Sequence, residues 1–480
     1  MKTTYQSIII LIAIVFNTSC QKFDYYQDNP NKPSNATAAL LMTYICQDIF
    51  NNNPINAAYA TRHLTYYERP SESINYNWNR GSFGGFESIT QVQKMKELAK
   101  EHKNYQGLAK LFRAIYFSRL TETFGDIPYK ESLMAEQDLR KPAYDSQEDV
   151  YEALLLELEE ANELLQPAHG IIDGDIIFRG DVQRWKKLVN AFRLRLLIHL
   201  SKKEGQSKIK IKEQFSTIVN NRTRYPLMES NADNAQIVFN NSTPSNYYPT
   251  AGHLSVATLV SLEASFVKLL QEREDPRLFS FAEPISGKPA GQYSNYKGVD
   301  AGLSPADQQS TAASSSLIAR RYVDLRNPIN EPMIFMSYAE QEFILAEGIQ
   351  RQWGTGDMAT HYQHAVMASM AFYQIESQQG TNYLAHPLVS LASGDVLTKI
   401  LTQKYIAFFM NSGWEPFYEQ RRTGVPVLRV GPGTLNGGKV PKRWQYPLTE
   451  IQYNEQHVQD AIKRQYPEGD NTNATMWLIK

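Results

Sequence analysis

Cysteine is almost absent from this sequence: Cys20 and Cys46 are the only two in 480 residues. That excludes a disulfide-stapled scaffold, so a chain of this length must hold together through a large apolar core. Charge of one sign is lacking too. With 49 basic and 50 acidic residues, the chain has no long-range field to draw in a nucleic-acid backbone. No apolar run reaches the roughly 20 residues that a membrane-crossing helix needs. HExxH, G-x-S-x-G and CxxC are all missing, which removes the zinc-protease, serine-hydrolase and dithiol signatures. Strand-like runs are few, and "AQIVFN" (235–240) is the clearest.

The longest apolar run stands at the start. Lys2 precedes Ile8 to Phe16, a core too short to span a bilayer and suited to a secretory signal. Thr18 and Ser19 then lead into Cys20. Ordinary signal cleavage needs no cysteine there, whereas bacterial lipoprotein processing acylates that thiol and leaves it as the first residue. The usual Leu three residues earlier is replaced by Asn17, and a plain signal peptide beside an accidental cysteine is the simpler alternative. The expectation is a signal over 1–19, lipid attachment at Cys20, a polar proline-punctuated tether over 20–36, and one domain over 37–480. Removing 1–19, which hold one Lys and no acid, leaves 48 basic and 50 acidic residues. Cys46, without a partner, is expected to be buried as a small hydrophobe.

What the chain has in quantity is helix pattern. "SQEDVYEALLLELEEANELL" opens with Ser146 and Asp149 in capping-box spacing, and Val150, Leu154, Leu158, Ala161 and Leu165 share one face. "GDVQRWKKLVNAFRLRLLIHLSKK" places Trp185, Leu188, Phe192, Leu196 and Leu200 in the same way, and residues 106–125 and 337–353 follow suit. After 337–353 come the turn "GTGD" and the helical "MATHYQHAVMASMAFYQI", a tetratricopeptide-like hairpin without the full 34-residue consensus. The core is expected to include Trp185, Phe192, Leu196, Phe343, Ala346 and Phe408. Irregular stretches at 62–88, 223–254, 282–332 and 424–447 are long enough to suggest function.

Several strings invite a catalytic reading. "GTLNGGK" (433–439) has phosphate-loop spacing, but Val440 stands where Ser or Thr must bind magnesium. His361 and His364 sit three apart on a helix with no third ligand nearby in sequence, so a solvated face is the plainer reading and no metal is expected. Glu340 with Glu347, or Glu415 with Glu419, would serve as a glycosidase pair only if they flanked a substrate. In so apolar a setting, pairing with arginines such as Arg421, Arg422 or Arg443 is favoured. No enzyme and no cofactor are expected.

Five segments together resemble the SusD/RagB family of outer-membrane nutrient-binding lipoproteins, in its SusD-like branch. They are "LTETFGDIPYKESL" (120–133), "RWKKLVNAFRLRLLIHLS" (184–201), "EPMIFMSYAEQEFILAEGIQRQW" (331–353), "ILTQKYIAFFMNSGWEPFYEQRRTGVP" (400–426) and "PKRWQYPLTEIQYNEQ" (441–456). The resemblance implies a mainly α fold with tetratricopeptide-like hairpins, forming one large domain with long loop insertions. It also implies a lipid-anchored outer-membrane protein, facing the surface, that binds a glycan or sometimes a peptide without chemistry. Its implied partner is a SusC-like TonB-dependent transporter; nucleic acid is not one. "QKFD" after Cys20 lacks the acidic run often linked to surface display. A helical glycoside hydrolase or lyase of the cell envelope is the alternative of a different class.

The 28 Tyr and 6 Trp suit such a ligand. A sugar has an apolar C–H face for flat rings and a hydroxyl rim for amides and charges. Loop 65–86 offers Tyr66, Tyr67, Tyr76, Asn77, Trp78 and Arg80; loop 240–253 offers Asn246, Tyr247 and Tyr248; loop 291–302 offers Tyr293 and Tyr296. These are the candidate ligand residues, set against the simpler possibility that each ring pins its loop to the helices.

Overall fold

Capping and apolar spacing make helices at Lys103–Phe124, Gln147–Leu164 and Val182–His199, where the sequence places them; those at Ala38–Phe50, Gly85–Leu98 and Ile211–Asn220 were not foreseen. The computed structural model describes residues 36–68 and 71–480; the signal, Cys20 and almost all of the tether lie outside the described residues. Helix α1 (Ala38–Phe50) is followed by α2 (Gly85–Leu98), α3 (Lys103–Phe124), α4 (Gln147–Leu164), α5 (Val182–His199) and α6 (Ile211–Asn220). In α4 the Ser146 hydroxyl accepts from Asp149 N at 3.2 Å, the first half of a capping box. Asp181 caps α5 by accepting from the amides of Gln183 and Arg184. Each of α2 to α6 packs on the helix before it, so their apolar faces close a continuous core.

The hairpin forms as expected, with tighter bounds: α7 is Tyr338–Gln350 and α8 is Met358–Phe372. Gly348 lets α7 lie against α6, because a Cβ there would overlap the Phe215 ring. Helix α7 also packs on α5 and on α9 (Val396–Ala407), joining the two helical layers. Helix α10 (Glu415–Thr423) packs on α5, and α11 (Glu455–Gln465) is followed by a last short turn, Trp477–Ile479, that returns to α4. The six expected core residues are all buried, as is Cys46. One buried cluster runs from Met42 to Ile479, and a second, around Phe343, Ala346 and Tyr362, fills the hairpin.

Four short strands tie the insertions to this frame. Strand β1 (Leu64–Tyr66) pairs antiparallel with β3 (Val260–Leu262), Tyr66 opposite Val260. Strand β2 (Ala235–Ile237) pairs with β4 (Met333–Met336), which confirms a strand at "AQIVFN" but ends it three residues early. The stretch 282–332 contains a helix, Pro305–Ala312, that its sequence did not announce.

Candidate ligand cleft and the buried charge network

Two of the irregular insertions, 62–88 and 282–332, meet at an open cleft of about 740 Å³. Tyr67 follows β1 directly, and its hydroxyl donates to Thr258 O at 3.1 Å, fixing the ring beside the short helix Leu254–Leu259 that leads into β3. Partial burial, with Glu68 adding its charge, pushes this phenol above its ordinary value, so it stays a donor. Opposite, Glu283 N donates to Leu317 O at 2.9 Å, and the chain turns at 285–288 to present Lys288.

A third wall comes from 320–326. Gly252 N donates to Val323 O, and Thr250 Oγ1 to Tyr322 O at 2.6 Å, so the loop from 240 is laced to this wall. Gly252 has φ +75°, and a Cβ there would sit 3.1 Å from Leu325 Cδ1. Glycine is needed for both reasons. Leu325 remains 59% exposed. The lining carboxylates are engaged: Glu283 Oε1 accepts from Arg320 N at 2.8 Å, and Asp324 accepts from Arg326 Nη2 at 2.6 Å. Hydrogen bonds from Arg326 hold Asp324 down to about 2. What remains free is apolar surface and cationic donors.

The eleven rings and polar groups singled out in the sequence do not gather in one place: Tyr67 lines this cleft, the other ten do not, and Asn77 is exposed away from it. Tyr76 is buried, its hydroxyl donating to Ala60 O at 2.8 Å and its face covered by Arg62 at 4.1 Å. Trp78 is buried too, stacked on Trp444 at 4.0 Å and 12°, with Trp414 and Phe417 at its edges. Tyr248 packs edge-on to Phe239, and Tyr296 lies buried beside Phe279. These four present no open face; they pin loops, because the long chain segments around them need apolar anchors. Arg80 donates to Tyr446 O at 2.8 Å. Asn246 donates within its own loop, to Asn240 and Ser242. Tyr66 and Tyr247 are half-buried, and Tyr293 lies half-buried on Phe279 in a separate cleft of about 710 Å³.

Lys288, Arg320, Asp324, Leu325 and Arg326 line the main cleft, yet sequence reading passed over them. The signal available was the length of 282–332, with charged residues where aromatic ones were sought.

The carboxylates that tempted a catalytic reading form a buried network instead. Glu340 accepts from Arg195 Nε and Nη2, both at 2.6 Å. Glu347 accepts from Arg422 at 2.6 and 2.9 Å, Arg422 also reaches Glu419 at 2.6 Å, and Lys404 stands 3.1 Å from Glu419. His199 bridges Glu122 at 2.7 Å and Glu415 at 2.6 Å. Arg421 pairs with Glu122 and with no member of either proposed pair, and Arg443 pairs with Asp470. Burial opposes charge on His199, but Glu415 and Glu122 on either side raise it to about 10. Five carboxylates thus face five cations (Arg195, His199, Lys404, Arg421 and Arg422). His199, Glu415 and Glu419 come close enough to share a metal, yet their negative charge is already met. "GTLNGGK" forms turns with no strand before it or helix directly after it, so it is no phosphate loop.

The sequence matches the SusD-like family, described as "Starch-binding associating with outer membrane", over residues 30–447. The chain belongs to that family. No curated protein matches it. Among solved structures, an outer membrane protein of Bacteroides vulgatus with a provisional nutrient-binding role is 36% identical, with TM-score 0.86 over 93% of this chain and 100% of that one. A SusD homologue of Bacteroides fragilis is 32% identical, with TM-score 0.87 over the same shares. A chitin-binding SusD homologue of Flavobacterium johnsoniae, 20% identical, has TM-score 0.77 over 92% of this chain and 98% of that one, a likeness of fold. This SusD-like protein therefore carries the mainly α frame of an outer-membrane-associated group, and no helix among its described residues is long and apolar enough to cross a membrane.

Proposed function

We propose that this SusD-like protein captures an oligosaccharide in the cleft between Tyr67, 283–288 and 312–326, and passes it unaltered to a SusC-like TonB-dependent transporter. The observation that carries the reading is the state of the cleft's groups. Exposed apolar surface at Tyr67 and Leu325 suits a sugar's C–H face, while Lys288 and Arg320 suit its hydroxyls. Of the two carboxylates there, Glu283 is held by the backbone amide of Arg320 and Asp324 by the Arg326 guanidinium, which favours binding over bond cleavage. The starch-binding description of the family supports a glycan, as does the chitin-binding homologue. The transporter follows from the family resemblance. Anchoring by an acylated Cys20 places capture at the membrane, and two or more acyl chains would make it firm.

A glycan and peptide array on the mature protein, repeated with Tyr67→Ala, tests the site. A glycan bound by the parent and weakened in the variant is expected; peptides bound instead of glycans would redirect the ligand class. New reducing ends on incubation with bound glycans would move the protein to the hydrolase or lyase class. Pull-down from solubilised outer membrane should recover a TonB-dependent protein. Cys20→Ser should abolish palmitate labelling and membrane fractionation.

A further inference from the structure

We propose that Glu342, His361 and His364 form a divalent-metal clip of the zinc class across the α7–α8 hairpin. Neither the family fold nor the ligand cleft calls for it; it rests on three side chains from two antiparallel helices. His361 and His364 lie one turn apart on α8. Glu342, from the facing surface of α7, points its Oε2 between them: it stands 2.7 Å from His361 Nδ1 and 3.6 Å from His364 Nδ1. The third ligand that the sequence around the histidines lacks is thus supplied by the neighbouring helix.

The environment is graded in the way a metal site requires. The carboxylate is 5% exposed, the first imidazole 20% and the second 52%. Glu342 Oε1 is occupied by Gln341 Nε2 at 3.3 Å, which leaves Oε2 for the imidazoles. A histidine–carboxylate hydrogen bond accounts for His361 alone. His364 is too far for one, and it has the exposure to swing inward until its nitrogen joins the other two donors. Two imidazoles and one carboxylate, with a fourth position open to water, match the preference of zinc for tetrahedral nitrogen and oxygen ligands. Arg222, whose charge already interacts with Glu342, opposes a second cation nearby, so modest affinity is expected.

Tag-free protein titrated with Zn²⁺ against a chromophoric chelator, and with Co²⁺ as a visible probe, reads the site directly. One equivalent should bind, with Co²⁺ giving d–d bands that Zn²⁺ bleaches. His361→Ala and His364→Ala should each weaken uptake more than about tenfold while leaving the metal-free far-ultraviolet spectrum unchanged. Because both imidazoles reach solvent, these variants fold even if Glu342→Gln does not. Absence of a stoichiometric equivalent in the parent, or uptake that survives either histidine substitution, overturns the clip.

Discussion

The region around Trp78 and His199 and the cleft around Tyr67 draw on the same alphabet of aromatic rings, arginines and carboxylates, and use it in opposite ways. In the first, Trp78 is stacked on Trp444, and five carboxylates meet five cations, all of them buried. In the second, Leu325 is exposed, and the side chains of Arg320 and Lys288 make no salt bridge among the described residues. Residue type does not distinguish scaffold from site here. Burial does: a group enclosed among internal neighbours supports the fold, whereas a group with open surface or exposed donors has something to offer a ligand.

The sharpest way to break this contrast is to unpair the buried region. Arg422→Ala would leave Glu347 and Glu419 buried without their shared guanidinium. Removing one partner of a buried pair costs about 3–5 kcal/mol, because the uncompensated charge remains. The midpoint of urea unfolding should fall accordingly, and a value within error of the parent would show that the network is wetter than its geometry indicates.

Trp78→Ala is next. The ring is 6% exposed and touches three aromatic neighbours, so its loss should cost roughly 3–5 kcal/mol. The informative measurement is a pair: unfolding free energy should drop while ligand affinity of the folded fraction stays put. Loss of affinity at unchanged stability would transfer Trp78 from the scaffold to the site.

How much of this was legible beforehand depended on the range of the contacts. The Ser146–Asp149 cap and the apolar faces of α4 and α5 are local, and the helices stand where that spacing puts them. Pairing of Glu340 and Glu347 with arginine was foreseeable from their apolar surroundings. The identity of Arg195 as Glu340's partner was not, since it comes from 145 residues away. "YNWNRG" reads locally as a polar loop offering a tryptophan; only Trp444, Trp414 and Phe417, arriving from the far end of the chain, bury it. The cleft escaped notice for the same reason, because its walls are assembled from four separated segments.

A subtler probe is pH. His199 has a folded value of about 10 against an ordinary 6.5. The native state keeps a proton that the unfolded chain releases, so the stability this group contributes is complete below pH 6.5 and is lost as pH rises through 10. The difference in unfolding free energy between the parent and His199→Gln should therefore shrink steadily from pH 6 to pH 10. A difference that stays constant over that range would mean that His199 is neutral between Glu122 and Glu415.

The smallest expected effect belongs to the cleft, and it has the opposite signature. Tyr67 sits at the rim with one hydrogen bond, to Thr258, so Tyr67→Ala should change stability by about 0.5–1.5 kcal/mol. A stacking ring is worth about 0.5–1.5 kcal/mol beyond its buried area, and 1.4 kcal/mol is a factor of ten in Kd. Once a glycan is identified, calorimetry should show the variant binding it up to about tenfold more weakly, with Trp78→Ala binding it as the parent does. Leu325→Ala, on the opposite wall, should weaken the same ligand by less, since it removes apolar area without a ring. If Tyr67→Ala and Leu325→Ala both leave the affinity untouched, the glycan lies elsewhere, and the half-buried Tyr293 on Phe279 in the second cleft is the next place to substitute.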